Sequence, residues 1–189
     1  MRKDFGSQPW LVPQLVALVA AYDENEVPNV MNAAWGGTYA NNQIMLCISA
    51  GHRTTKNIMA RKAFTVSIAD EANLVAADYV GIVSGNKVPD KFAKAGFHAV
   101  KSQFVDAPLI EEIPLALECR LAGLTESGCV IGEVVNVSAD ESILAEDGKP
   151  DIAKMRAISF DPVHHDYLLI GESVGQAFRD GRRLGSENI

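Results

Sequence analysis

Residues 115–137 constrain the fold more than any other stretch. LALECRL at 115–121 alternates, Glu126-Ser127-Gly128 makes a turn, and CVIGEVVNV at 129–137 alternates again. A period of two on both sides of a glycine turn predicts an antiparallel β-hairpin. Residues 15–22, LVALVAAY, form a second apolar run ending in the polar turn Asp23-Glu24-Asn25-Glu26, which returns through Pro28 into an arm spanning 29–39. That pattern predicts another hairpin.

Strand-like runs also occupy 43–49, 63–69, 157–160 and 167–171. Helix-like spacing covers 71–83 and a short piece at 89–95 that stops at Gly96, while 97–114 reads as a connector with short extended pieces. Residues 138–154 are polar with a turn at Asp147-Gly148, and 174–184 reads as a helical tail. About seven strands, mostly antiparallel and hairpin-linked, predict a mainly β chain with short helices, a barrel or sandwich. The helix–strand alternation of a parallel α/β sheet is missing. We expect a single domain over 1–189, its core at about 15–184.

With 189 residues, 48% hydrophobic and 22% charged, the chain is long enough to bury one substantial core. Seventeen basic against 24 acidic residues give a net charge of −7, which argues against a nucleic-acid partner. MRKDFGSQPW fits neither a signal nor a transit peptide, and no run approaches transmembrane length. A cytoplasmic protein without membrane association is expected. Cys47, Cys119 and Cys129 are widely spaced in apolar settings, so reduced, buried thiols are expected.

The chemistry concentrates between the strands at 43–49 and 63–69. Gly51-His52-Arg53-Thr54-Thr55-Lys56-Asn57 opens a helix, with Thr54 or Thr55 typed as its N-cap. A helix N-terminus presents unpaired N–H groups and the positive end of the macrodipole, and Arg53 and Lys56 add two cations. The planar fork of Arg53 beside a threonine hydroxyl suits a phosphate monoester. An ordinary capped surface helix has the same local signature, so the reading leans on its neighbours. Asn32, Ala33-Ala34, Trp35 and Gly36-Gly37 form an arm whose small residues let a flat group approach the backbone. Taken alone, Trp35 reads as a core anchor and the glycines as a bulge or strand end. Ser84-Gly85 and Lys91 fall on one surface loop, where a lone lysine reads as solvated.

No GxGxxG follows a strand, the glycine-lysine spacing at 81–87 is wrong for a P-loop, and no GxSxG elbow is present. His52, His98, His164 and His165 have no partner at metal-ligand spacing, and the adjacent pair at 164–165 would face opposite sides of a strand. No metal is expected.

Asn29-Val30-Met31-Asn32-Ala33-Ala34-Trp35, followed by Ser49 and by His52-Arg53-Thr54-Thr55-Lys56-Asn57-Ile58, resembles the flavin reductase-like family of FMN-binding split barrels. Ala77-Asp78-Tyr79, Ser84-Gly85, Asp90-Lys91-Phe92, Asp106-Ala107-Pro108, Phe160-Asp161-Pro162 and Tyr167 resemble its later blocks. By that resemblance Asn32, Ala34 and Trp35 lie along the ribityl and isoalloxazine side, Ser49 at the strand end, and His52, Arg53, Thr54 and Lys56 around the phosphate. Ser84 and Lys91 close over the flavin. The resemblance implies bound FMN, a homodimer, and an FMN-dependent oxidoreductase taking hydride transiently from NADH or NADPH and passing electrons to a small-molecule acceptor or a redox partner protein. The alternative is an FMN electron carrier reduced by a partner protein. Neither reading assigns a catalytic side chain, because the flavin carries the chemistry.

Overall fold

The computed structural model describes residues 1–185. In chain order the strands are β1 (Ala17–Tyr22), β2 (Pro28–Ala33), β3 (Gly36–Ala40), β4 (Gln43–Leu46), β5 (Ala63–Ile68), β6 (Ala99–Lys101), β7 (Pro108–Ile110), β8 (Leu115–Leu124), β9 (Val130–Ala139), β10 (Ile158–Asp161) and β11 (Asp166–Leu169). The helices are α1 (Arg53–Arg61), α2 (Leu74–Ile82), α3 (Lys91–Lys94) and α4 (Ile152–Met155).

Seven strands form one sheet in the order β2-β1-β5-β8-β9-β4-β3, every pairing antiparallel. The sheet curls into a half-barrel with β2 and β3 at its free edges. β6–β7 and β10–β11 are separate two-stranded ribbons.

β1 is buried at all six positions, the pattern of a strand covered on both faces. Leu18 and Ala20 join Val30, Val80 of α2, Phe92 of α3 and Phe97 in one apolar cluster. Ala17, Val19 and Ala21 turn the other way, to Ile58 of α1, Phe64, Val130 and Cys119. The strand period of two therefore loads two layers from one run, with α1 on one side of β1 and α2 and α3 on the other.

Three expectations need correction. The arm at 29–39 is two strands, because after Ala33 the chain leaves β1 and Gly36 pairs with Leu46 of β4. A Cβ at Gly36 would stand 2.7 Å from Met45 O, so the close approach requires glycine there. The helical tail at 174–184 is only a 3₁₀ turn, Asp180–Leu184. Val174, Phe178 and Leu184 are all exposed, so no apolar stripe docks it. His164 and His165 occupy the β10–β11 turn rather than a strand, with His165 at φ 63°. The polar stretch 138–154 holds α4 and a 3₁₀ turn. Residues 186–189 of the expected domain lie outside the described residues.

Candidate functional site

α1 starts at Arg53 behind His52, which is extended (φ −67°, ψ 141°) and supplies no side-chain cap. Neither threonine is the cap. Thr54 Oγ1 accepts a 2.6 Å bond from Asn29 Nδ2, and Thr55 Oγ1 donates to Ser49 O at 2.8 Å. Both side chains fix the helix start against β2 and the end of the β4 segment, and the Thr54 hydroxyl, only an acceptor there, keeps its own proton to donate. The first-turn N–H groups thus have no side-chain acceptor of their own.

Arg53 is held by the β1–β2 turn. Its Nη2 meets Asp23 Oδ2 at 2.6 Å, and Nη1 donates to Gly85 O at 3.2 Å. Burial opposes ionisation of Asp23, but the Val27 N–H and Arg53 outweigh it and hold the carboxyl below its ordinary range. Arg53 keeps further N–H donors for a ligand. Lys91 is buried rather than solvated: its Nζ donates to Val80 O and Val83 O, each at 2.8 Å. Desolvation pulls its pKa down to about 8.

Six of the ten expected residues, Asn32, His52, Arg53, Thr54, Ser84 and Lys91, line one cavity of about 280 Å³. A second, of about 200 Å³, shares Asn32, Gly81 and Ile82 with the first and adds Ala34, Asp78 and Tyr167. A third, of about 520 Å³, shares Leu15 and Ala34 with the second and adds Trp35, Gly37 and Cys47. The three follow one another along β2 as a trough, cationic and helix-capped at one end and aromatic at the other. Trp35 is no core anchor; 60% of its surface is exposed.

Two expected residues stand apart. Lys56 is exposed and Ser49 lies outside the cavity lining, where its Oγ accepts from Gly51 N at 3.3 Å. Two others were given no site role in the sequence. Asn29 is buried, and among the described residues its Oδ1 has no partner. Gly85 is buried opposite it, and a Cβ there would stand 2.3 Å from that Oδ1. A polar Asn inside an apolar strand was the available signal.

In the middle cavity Tyr167 donates to Asp78 Oδ1 at 2.8 Å and Asn32 Nδ2 to Ala77 O at 3.1 Å. Burial first, then Asp78, push the Tyr167 phenol up to about 12, so it remains protonated. Elsewhere the β6–β7 ribbon gathers His98, Glu111 and Glu112, which sequence spacing did not join. His98 and Glu112 satisfy each other at 2.5 Å.

The residues fit a phosphate-bearing flavin. Arg53, His52 and the start of α1 supply donors and positive charge for a phosphate. The exposed Trp35 suits a flat ring.

Comparison with known proteins agrees with this geometry. The family model for the flavin reductase like domain matches residues 11–153. Flavoredoxin of Desulfovibrio vulgaris (Miyazaki F) superposes with a TM-score of 0.92 at 39% identity, covering 96% of this chain and 100% of that one. Flavoredoxin from Methanosarcina acetivorans superposes with a TM-score of 0.86 at 26% identity, covering 97% and 100%. A protein of Archaeoglobus fulgidus is 30% identical over 132 residues, 67% of this chain and 73% of that protein.

Proposed function

Because the chain belongs to the flavin reductase-like family, whose split-barrel fold it has, we propose that it binds FMN along the trough and works as an oxidoreductase. In this reading electrons pass from NADH or NADPH to a small-molecule acceptor or a redox partner protein. The observation that carries it is the continuity of the three cavities, with Arg53 and Thr54 at one end and Trp35 at the other.

Bound FMN supplies the electron chemistry. His52, Arg53, Thr54 and the N–H groups at the start of α1 hold the phosphate. Asp23 keeps the Arg53 fork in place from behind. Asn32, anchored on Ala77 O, and Asn29 border the ribityl chain. Ser84 and Lys91 close over it, and Ala34 and Trp35 support the ring. The protein's part is orientation and partial exclusion of water from one flavin face.

A second reading, an FMN electron carrier reduced by a partner protein, is favoured by the likeness to two flavoredoxins. The anaerobic visible spectrum of the FMN-loaded protein, before and after NADH and then NADPH, separates them. Bleaching of the oxidised flavin band by either nucleotide establishes the reductase. A bound flavin that neither bleaches establishes the carrier, and no bound flavin overturns both.

The proposal includes a homodimer. β3 is an edge strand with all five residues exposed, Tyr39 among them, beside exposed Trp35, a surface that pairing would cover. Sedimentation velocity should give twice the 20.3 kDa chain mass, and a monomer would remove this part of the reading.

A further inference from the structure

Cys47 and Cys129 are separated by 82 residues in sequence, yet their Sγ atoms lie 2.6 Å apart. Sheet register explains the meeting. β4 and β9 pair from Gln43↔Glu133 to Leu46↔Val130, and Cys47 opposite Cys129 is the next step of that ladder. The Cys47 N–H turns away from β9, to Trp35 O, at 2.8 Å. Cys129 likewise turns both backbone groups to Thr125 across the β8–β9 turn: its N–H donates to Thr125 Oγ1 and its carbonyl accepts from Thr125 N. The two cysteines therefore continue the ladder as a non-hydrogen-bonded cross-strand pair, the class in which Cα atoms generally stand about 4.5 Å apart and side chains approach most closely. That separation falls within the about 4.4–6.8 Å that a disulfide spans, so a bridge needs no backbone rearrangement.

Both thiols are free and half-exposed, unlike Cys119, which is fully buried. The expectation of three buried thiols thus holds for one of them. Cys47 also forms part of the wall of the cavity beside Trp35, and Cys129 sits next to the hydroxyl of Ser127, 3.7 Å away, at the open end of the hairpin.

We propose that Cys47 and Cys129 are a redox-active dithiol that closes to an intramolecular disulfide by exchange with small-molecule disulfides. The Cys129 thiolate attacks one sulfur of the substrate disulfide R–S–S–R, forming Cys129–S–S–R and expelling one thiolate. Cys47 then gives up its proton to that thiolate or to solvent and attacks Cys129 Sγ. This breaks the mixed disulfide and expels the second thiolate. Two protein thiols are oxidised and one disulfide becomes two thiols, with no other reactant. The neighbouring Cys47 sulfur, then the Ser127 hydroxyl, hold Cys129 below the usual thiol pKa, while the contact with Cys129 raises that of Cys47. Cys129, in the hairpin turn beside the Ser127 hydroxyl, is the sulfur a dissolved disulfide reaches first, and Cys47, in the cavity wall next to it, is the resolving sulfur. The proposal does not depend on the flavin reading.

The test incubates the native full-length chain with oxidised glutathione under anaerobic conditions, quenches with acid, and reads intact mass and peptide maps. The expected product has lost two hydrogens, carries a Cys47–Cys129 linked peptide and leaves Cys119 free. Cys47→Ser should retain glutathione on Cys129, whereas Cys129→Ser should react about tenfold more slowly or less. Wild-type protein that ends as an unlinked glutathione adduct, or that reacts only in denaturant, would overturn the dithiol. Because the wild-type product is decisive alone, a variant that folds poorly leaves the test intact. Equal rates for the two variants would overturn the order of attack.

Discussion

The Lys91 ammonium is buried against Val80 O and Val83 O, and desolvation lowers its pKa to about 8. Between that value and the ordinary lysine value the unfolded chain still holds a proton that the folded chain has lost. The lysine's contribution to stability therefore rises with pH across this window, and at neutral pH the buried charge is a cost. A bound phosphate reverses the preference, because an anion in the same cavity favours the charged amine. FMN binding is expected to take up a proton near pH 8 to 9, and affinity should fall as pH rises from 7 through 9, by up to about tenfold per unit above the free pKa. Lys91→Arg, whose charge does not titrate there, should bind without that slope. Fluorescence titration of FMN at several pH values checks this. Identical dissociation constants at pH 7 and 9 in the wild type would remove Lys91 from the site.

At the scale of elements, the half-barrel depends on close approaches that leave no trace in hydrophobic pattern. Gly132 of β9 faces the buried Phe64 of β5, and a Cβ there would stand 2.4 Å from Phe64 Cζ and 3.3 Å from Cys119 Cβ. Gly123 of β8 has nothing within 4 Å of the same atom. Gly132→Ala should cost about 1–3 kcal/mol by overpacking, while Gly123→Ala should be nearly neutral. Thermal unfolding followed by circular dichroism reads the contrast, and equal losses would mean that Phe64 has room to move.

The β1–β2 and β8–β9 hairpins, β5, α1 and α2 were legible because each carries its own period and its own turn. What was not legible depends on partners distant in sequence. Thr54 and Thr55 have the chemistry of caps but spend it on Asn29 and Ser49. The break after Ala33 is set by pairing with β4. Cys47 meets Cys129 only through the register of β4 on β9.

Across the whole molecule, the trough is lined by three parts of the fold that lie far apart in sequence: the start of α1, the turn between α2 and α3, and the β2–β3 corner. A ligand that bridges them binds the folded chain and not the unfolded one, so its affinity appears directly as stability. FMN at about a hundred times its dissociation constant should add about 2.7 kcal/mol. For a chain of 189 residues that corresponds to a rise in Tm of about 5–11 °C. Riboflavin, which has the ring and ribityl chain but no phosphate, should give a smaller rise at the same concentration. Arg53→Ala combined with Thr54→Ala should remove the difference while leaving the riboflavin shift, each shift being measured from the variant's own ligand-free Tm. That comparison isolates the phosphate end, since any general weakening of the fold moves both baselines together. If the double variant lost the FMN and riboflavin shifts equally, the helix start would be a structural corner and the phosphate would have to bind elsewhere along the trough.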